Sequence, residues 1–60
     1  MMNEEQFREL MREIQALGYD EETAGEYAAI VGDTPEIDES GLTVVRSENG
    51  MVLARLKLKE

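Results

Sequence analysis

Between Asp20 and Glu39 the chain reads DEETAGEYAAIVGDTPEIDE, eight carboxylates in twenty residues with no Lys, Arg or His among them. Carboxylates at this density can do three kinds of chemistry. Two of them can work as general acid and base if burial raises one pKa. Several oxygens on one loop can hold a hard divalent cation. Spread over a rigid scaffold, they can present the charge pattern of a phosphate backbone to a basic groove. The sequence weighs against the first two. There is no His and no Cys, Ser40 and Ser47 fall in loop or turn contexts without a base, and no Gly-rich loop leads into a helix. Sixty residues also offer no deep pocket in which to perturb a carboxylate. The expectation is a protein that is not an enzyme, with Tyr19 and Tyr27 at the core edge. For a cation the candidates are Asp33, Glu36, Asp38 and Glu39, but they lack the alternating oxygen spacing and central Gly of an EF-hand, so no metal and no cofactor is expected.

The third use gives the functional expectation: a small acidic protein–protein interaction module. Its most specific form is an inhibitor presenting Glu4, Glu9, Glu13, Asp20, Glu21, Glu22 and Glu26 to the basic groove of a nucleic-acid-handling protein. Small acidic nucleic-acid mimics of the phage or plasmid anti-defence type act this way as a class. The plainer reading has Asp20, Glu21 and Glu22 complementing a helix dipole while Asp33, Glu36, Asp38 and Glu39 keep a loop soluble. A net charge of −8 repels phosphate backbones and anionic lipid, so the expected partner is a basic protein rather than nucleic acid or membrane.

Charge divides along the chain. Residues 1–39 hold twelve acidic and two basic side chains, and residues 40–60 hold two acidic and four basic. Arg55, Lys57 and Lys59 alternate, so a strand would point all three the same way. Beside them Val45, Met51 and Leu53, with Arg46, would form an apolar patch with a basic rim. That patch supports the alternative function, a self-associating accessory protein whose homodimer interface is Val45, Met51, Leu53, Arg55 and Lys57.

Two helices and a hairpin must position these groups. Asn3-Glu4-Glu5-Gln6 has capping-box form, with Met2 and Phe7 placed for a hydrophobic staple. Phe7, Leu10, Met11, Ile14 and Leu17 then share one helical face, opposite Glu4, Glu5, Arg8, Glu9, Arg12 and Glu13, where Glu4–Arg8 and Glu9–Arg12 are at pairing distance. Gly18 supplies a left-handed stop and Tyr19 can fold back on Ile14. A second helix starts at Asp20 or about three residues later at Thr23, buries Ala24, Tyr27, Ala28 and Val31, and ends at Gly32 before Pro35. Small Ala24, Gly25 and Ala28 let it approach a neighbour closely.

Leu42–Ser47 and Met51–Lys59 are β-type runs around Glu48-Asn49-Gly50. An Asn-Gly turn would collect Val45, Val52, Ala54 and Leu56 on one face. A three-residue loop with Gly50 in a bulge pairs Ser47 with Met51 and turns Leu42, Val44, Val52, Ala54, Leu56 and Leu58 inward, leaving Thr43, Val45, Met51, Leu53, Arg55, Lys57 and Lys59 outside. The second register gathers more apolar residues and is the expected one. The fold class is therefore α+β in the order ααββ: two amphipathic helices, about 3–17 and 21–31, packed on a C-terminal antiparallel hairpin, about 42–47 and 51–59, in one domain spanning 1–60. Ile37 is expected to plug an edge of the core.

The segment LGYDEETAGEYAAI, with the helix before it, looks somewhat like the helix, Met-Gly-Phe loop, helix opening of ubiquitin-associated domains, with Leu17-Gly18-Tyr19 standing for the loop. The resemblance covers barely half the chain, and a hairpin takes the place of that family's third helix; no binding residue is carried over. Apolar runs such as Ala28–Val31 are far short of a membrane span, and Met1–Glu5 lacks the basic start of a signal peptide. Together with the lack of Cys this leads to the expectation of a cytoplasmic protein.

Overall fold

Helix α1 (Glu4–Ala16) starts where the sequence carries its strongest local signal. The Gln6 amide donates to Asn3 Oδ1 at 2.8 Å and the Asn3 amide to Gln6 Oε1 at 3.0 Å, so two amides that the first turn leaves without partners are satisfied reciprocally. The helix ends in a tight turn, Leu17 N–H to Ile14 O and Gly18 N–H to Gln15 O, with Gly18 at a φ of +108° that only glycine adopts without strain. Asp20 then caps α2 (Glu21–Asp33), its carboxylate accepting from the Thr23 amide at 2.8 Å. Gly32 does not end this helix. It lies within it, and the stop comes from Pro35, which forces Thr34 out of the helical region to φ −134° and ψ 72°.

The computed structural model describes residues 2–58, in the order α1, α2, β1 (Thr43–Arg46), β2 (Val52–Leu56), and so has the expected ααββ arrangement. A Cβ built on Gly25 would lie 3.8 Å from Met11 Cε, and one on Gly32 3.7 Å from Met2 Cε, so the helices run antiparallel, with Met11 of α1 and Met2 just before it against the α2 glycines. Leu10 and Ile14 of α1, Ala24, Ala28 and Val31 of α2, and Val45 of β1 form the buried core, with Phe7, Tyr27, Leu53, Ala54 and Leu56 packed at its edge. Tyr19 meets Tyr27 edge to face at a centroid distance of 5.4 Å. Helix α2 alone brings its backbone close to the sheet. Helix α1 lies on α2 and reaches Val45 only through side chains.

The hairpin combines both registers available to the sequence. Next to the turn the three-residue loop forms: Gly50 N–H donates to Ser47 O and Ser47 N–H to Met51 O, both at 2.9 Å, with Gly50 at φ +88°. Arg46 then faces Val52, but the next pair is Val45 with Ala54, followed by Val44 with Arg55 and Thr43 with Leu56. Leu53 is the extra residue of a β-bulge. This corrects the expected faces. Thr43 and Val45 point inward, Val45 with no exposed surface, and Leu53 packs against the core instead of standing outside. Val52 is exposed, and Val44 is on the outer face yet also buried. Lys59 lies outside the described residues.

A short segment after Pro35 extends the sheet. Val44 N–H donates to Glu36 O and Asp38 N–H to Leu42 O, both at 2.9 Å, placing Ile37 beside Thr43 on the edge of β1 away from β2. Ile37 is 59% exposed and plugs nothing. The Asp38 carboxylate holds the turn into β1 by accepting from the Ser40 and Leu42 amides.

Candidate interaction surfaces

The carboxylates divide into those the fold uses and those it leaves outward. Asp20 is used as a cap, and the Thr23 backbone amide, then the Thr23 hydroxyl, hold its pKa below the ordinary value. Glu36 is used as well. Arg46 Nε and Nη2 donate to its two oxygens at 2.7 and 3.0 Å, which lowers the Glu36 pKa, chiefly through the hydrogen bond, and raises that of Arg46. Arg46 Nη1 also donates to the Gly50 carbonyl at 2.7 Å, tying the loop, the strand and the turn together. Asp38 receives Arg55 at 3.5 Å. Glu4 pairs with Arg8 on α1.

What remains is the outer face of α2. Glu22, Glu26 and Asp33 follow at intervals of four and seven residues, which puts all three on one side of the helix with Ile30, opposite Ala24, Ala28 and Val31. All are exposed, as is Glu21, and among the described residues none of these four carboxylates has an ion-pair partner. The expected acidic set is not one surface. Met11 faces α2 at Gly25, and Glu9 and Glu13, each two residues from Met11, lie about 200° round the helix and so on the side of α1 away from α2. The structure therefore groups Glu22 and Glu26 with Asp33, expected in a loop, and places Glu21 about 100° away on the flank of the helix beside Ala28. It sets Glu9 and Glu13 apart. Asp33 was missed because the helix was expected to stop at Gly32.

The expected self-association patch is also divided. Val45 is in the core and Leu53 is half-buried, so neither forms part of an exposed anchor. Met51, at 63% exposure, and the side chains of Arg55 and Lys57 remain outside. Over Val44 the pairs Arg46–Glu36 and Arg55–Asp38 form a charged lattice across the outer face. A sequence signal for this lattice exists in the Glu36-Ile37-Asp38 alternation after Pro35, but three residues are too short to read as a strand.

A cleft of about 290 Å³ lies between the start of α1, the end of α2 and the far end of the sheet, bordered by Met2, Val31, Ile37, Thr43 and Leu58 with Lys57 at its rim. It is at the small end of the range for ligand pockets and brings no two titratable groups together for acid–base work. Tyr27, whose pKa is raised chiefly by loss of solvent and then by Tyr19, lies at the core edge, as expected. No helix among the described residues is long and apolar enough to cross a membrane. Against this geometry, comparison with protein-family models, curated proteins and solved structures returns no match.

Proposed function

We propose that this domain is an acidic protein–protein interaction module that inhibits a nucleic-acid-handling partner by placing the outer face of α2 in the partner's basic groove. The observation that carries the reading is the set of unpaired carboxylates Glu22, Glu26 and Asp33 on a helix whose opposite face is locked into the core. A helix held in this way keeps the backbone positions of its carboxylates at fixed spacing, Glu22 and Glu26 about 6 Å apart along the axis, so that only side chains and not backbone must be ordered on binding. Self-association through the hairpin draws less support, since Val45 and Leu53 are engaged in the core.

The reading separates two pairs of substitutions. Capture from native lysate at low salt, followed by a salt gradient, is expected to release a basic protein at moderate salt that competes with duplex DNA or RNA for the domain. Glu22→Lys with Glu26→Lys abolishes that capture, and Glu9→Lys with Glu13→Lys on the far side of α1 leaves it in place. Equal loss with both pairs would mean that net charge alone drives binding. Retention with both would remove α2 as the site.

A further inference from the structure

Strand β2 is paired along one edge and open along the other. On β1 the Val44 amide donates to Glu36, away from β2, so in the facing pair Val44–Arg55 the main-chain groups of both residues point out of the hairpin. The Arg55 amide and carbonyl therefore lie on the open edge, and among the described residues no main-chain bond from outside the helices and strands reaches them. Such an edge can take a further strand through main-chain bonds, with the side chains on either face deciding which strand fits. On the outer face it would meet Arg55 and Lys57, both exposed. On the inner face it would meet Ala54, Leu56 and Leu58, each half-buried against the core.

The other edge of the same sheet shows what satisfies the outer face, and the half-buried Ala54, Leu56 and Leu58 set the apolar requirement of the inner one. There the chain lays down Glu36-Ile37-Asp38, with the two carboxylates reaching Arg46 and Arg55 on the outer face and Ile37 between them. We propose that the open edge of β2 is a docking site for an extended segment of a partner protein in which acidic and apolar residues alternate. A second copy of this chain does not supply that segment by pairing β2 with β2, because the two rows of Arg55 and Lys57 would then lie side by side. Arg55 keeps free donors for the added strand, since its contact with Asp38 is a single one at 3.5 Å. This surface is opposite in sign to the face of α2 and independent of it.

The test is an amide-resolved NMR titration of the ¹⁵N-labelled protein with the blocked peptide Glu-Ile-Asp-Val-Glu-Ile-Asp at 0.15 M salt. Saturable shifts are expected at Arg55 and Lys57. A peptide of the same composition with its acidic and apolar residues in two blocks binds at least about tenfold more weakly. Of two peptides N-methylated at alternate residues, the one blocked on its edge-facing amides loses binding and the other keeps it, a comparison that leaves the protein unaltered. Arg55→Glu with Lys57→Glu weakens the parent peptide by about tenfold or more, and Glu22→Lys with Glu26→Lys leaves its shifts at β2. Four results would overturn the proposal: no shift at millimolar peptide, equal binding of the two N-methylated peptides, shifts centred on Met2 and Ile37 in the cleft, or a protein that sediments as a dimer with the Arg55 amide already protected.

Discussion

Asn3 and Asp20 begin the two helices with the same device, a side-chain oxygen on the third helical amide, and only Asp20 titrates. Asn3→Ala should cost about 1 kcal/mol, measured as a lower urea midpoint at unchanged slope. For Asp20 the sign follows from its lowered pKa. The folded chain binds this proton less readily than the unfolded one, so the contribution is fully present above the ordinary value of 3.8 and is lost as pH falls through the folded value. Asp20→Asn keeps the cap but cannot titrate, so the variant should match the parent near pH 7 and lose less stability between pH 5 and 2. Gly25 offers the opposite case. A methyl there meets only Met11 Cε at ordinary contact distance, and α2 gains a better helix former, so Gly25→Ala should stabilise by about 0.5–1 kcal/mol. The Asn3 cap was legible in the sequence because a cap depends on four consecutive residues, whereas Asp20 and Thr23 both offered that pattern and the structure uses Asp20.

At the scale of elements the hairpin shows where local reading stops. Each of the two registers satisfied part of the pattern, the three-residue loop the turn and the Asn-Gly register the burial of Val45. The chain uses both and joins them with Leu53. A bulge has no composition signal of its own, and it inverted the faces of Thr43, Val44 and Val45. Val44 added to the difficulty, because its cover is a lattice of two ion pairs from a segment too short to carry a strand signal. Deleting Leu53 should leave Arg46–Val52 and Val45–Ala54 paired, since those pairs flank the extra residue on either side. The expected loss of about 1–2 kcal/mol is that of a half-buried leucine. Cross-strand contacts between Val45 and Ala54 in the deletion variant check the register directly.

For the whole molecule, the division of charge makes two salt responses run in opposite directions. Self-repulsion at a net charge of −8 weakens the fold, and screening should raise the thermal midpoint of the isolated domain by a few degrees between low and 0.5 M salt. The proposed capture by α2 should weaken over the same range. Midpoint and affinity measured on one salt series separate the two effects. The candidate site was legible as a charge density, but its geometry was not, because which carboxylates share a face depends on where α2 ends and on which side of α1 it packs.

Each element packs on the one before it in the chain, α1 with α2, α2 with β1, β1 with β2. Order of contact is therefore order of synthesis, and a segment emerging from the ribosome finds its neighbour already present. Little loop-closure entropy has to be overcome before a contact forms, which places folding in the microsecond-to-millisecond range of chains with local topology. A temperature jump should show one exponential phase on that timescale.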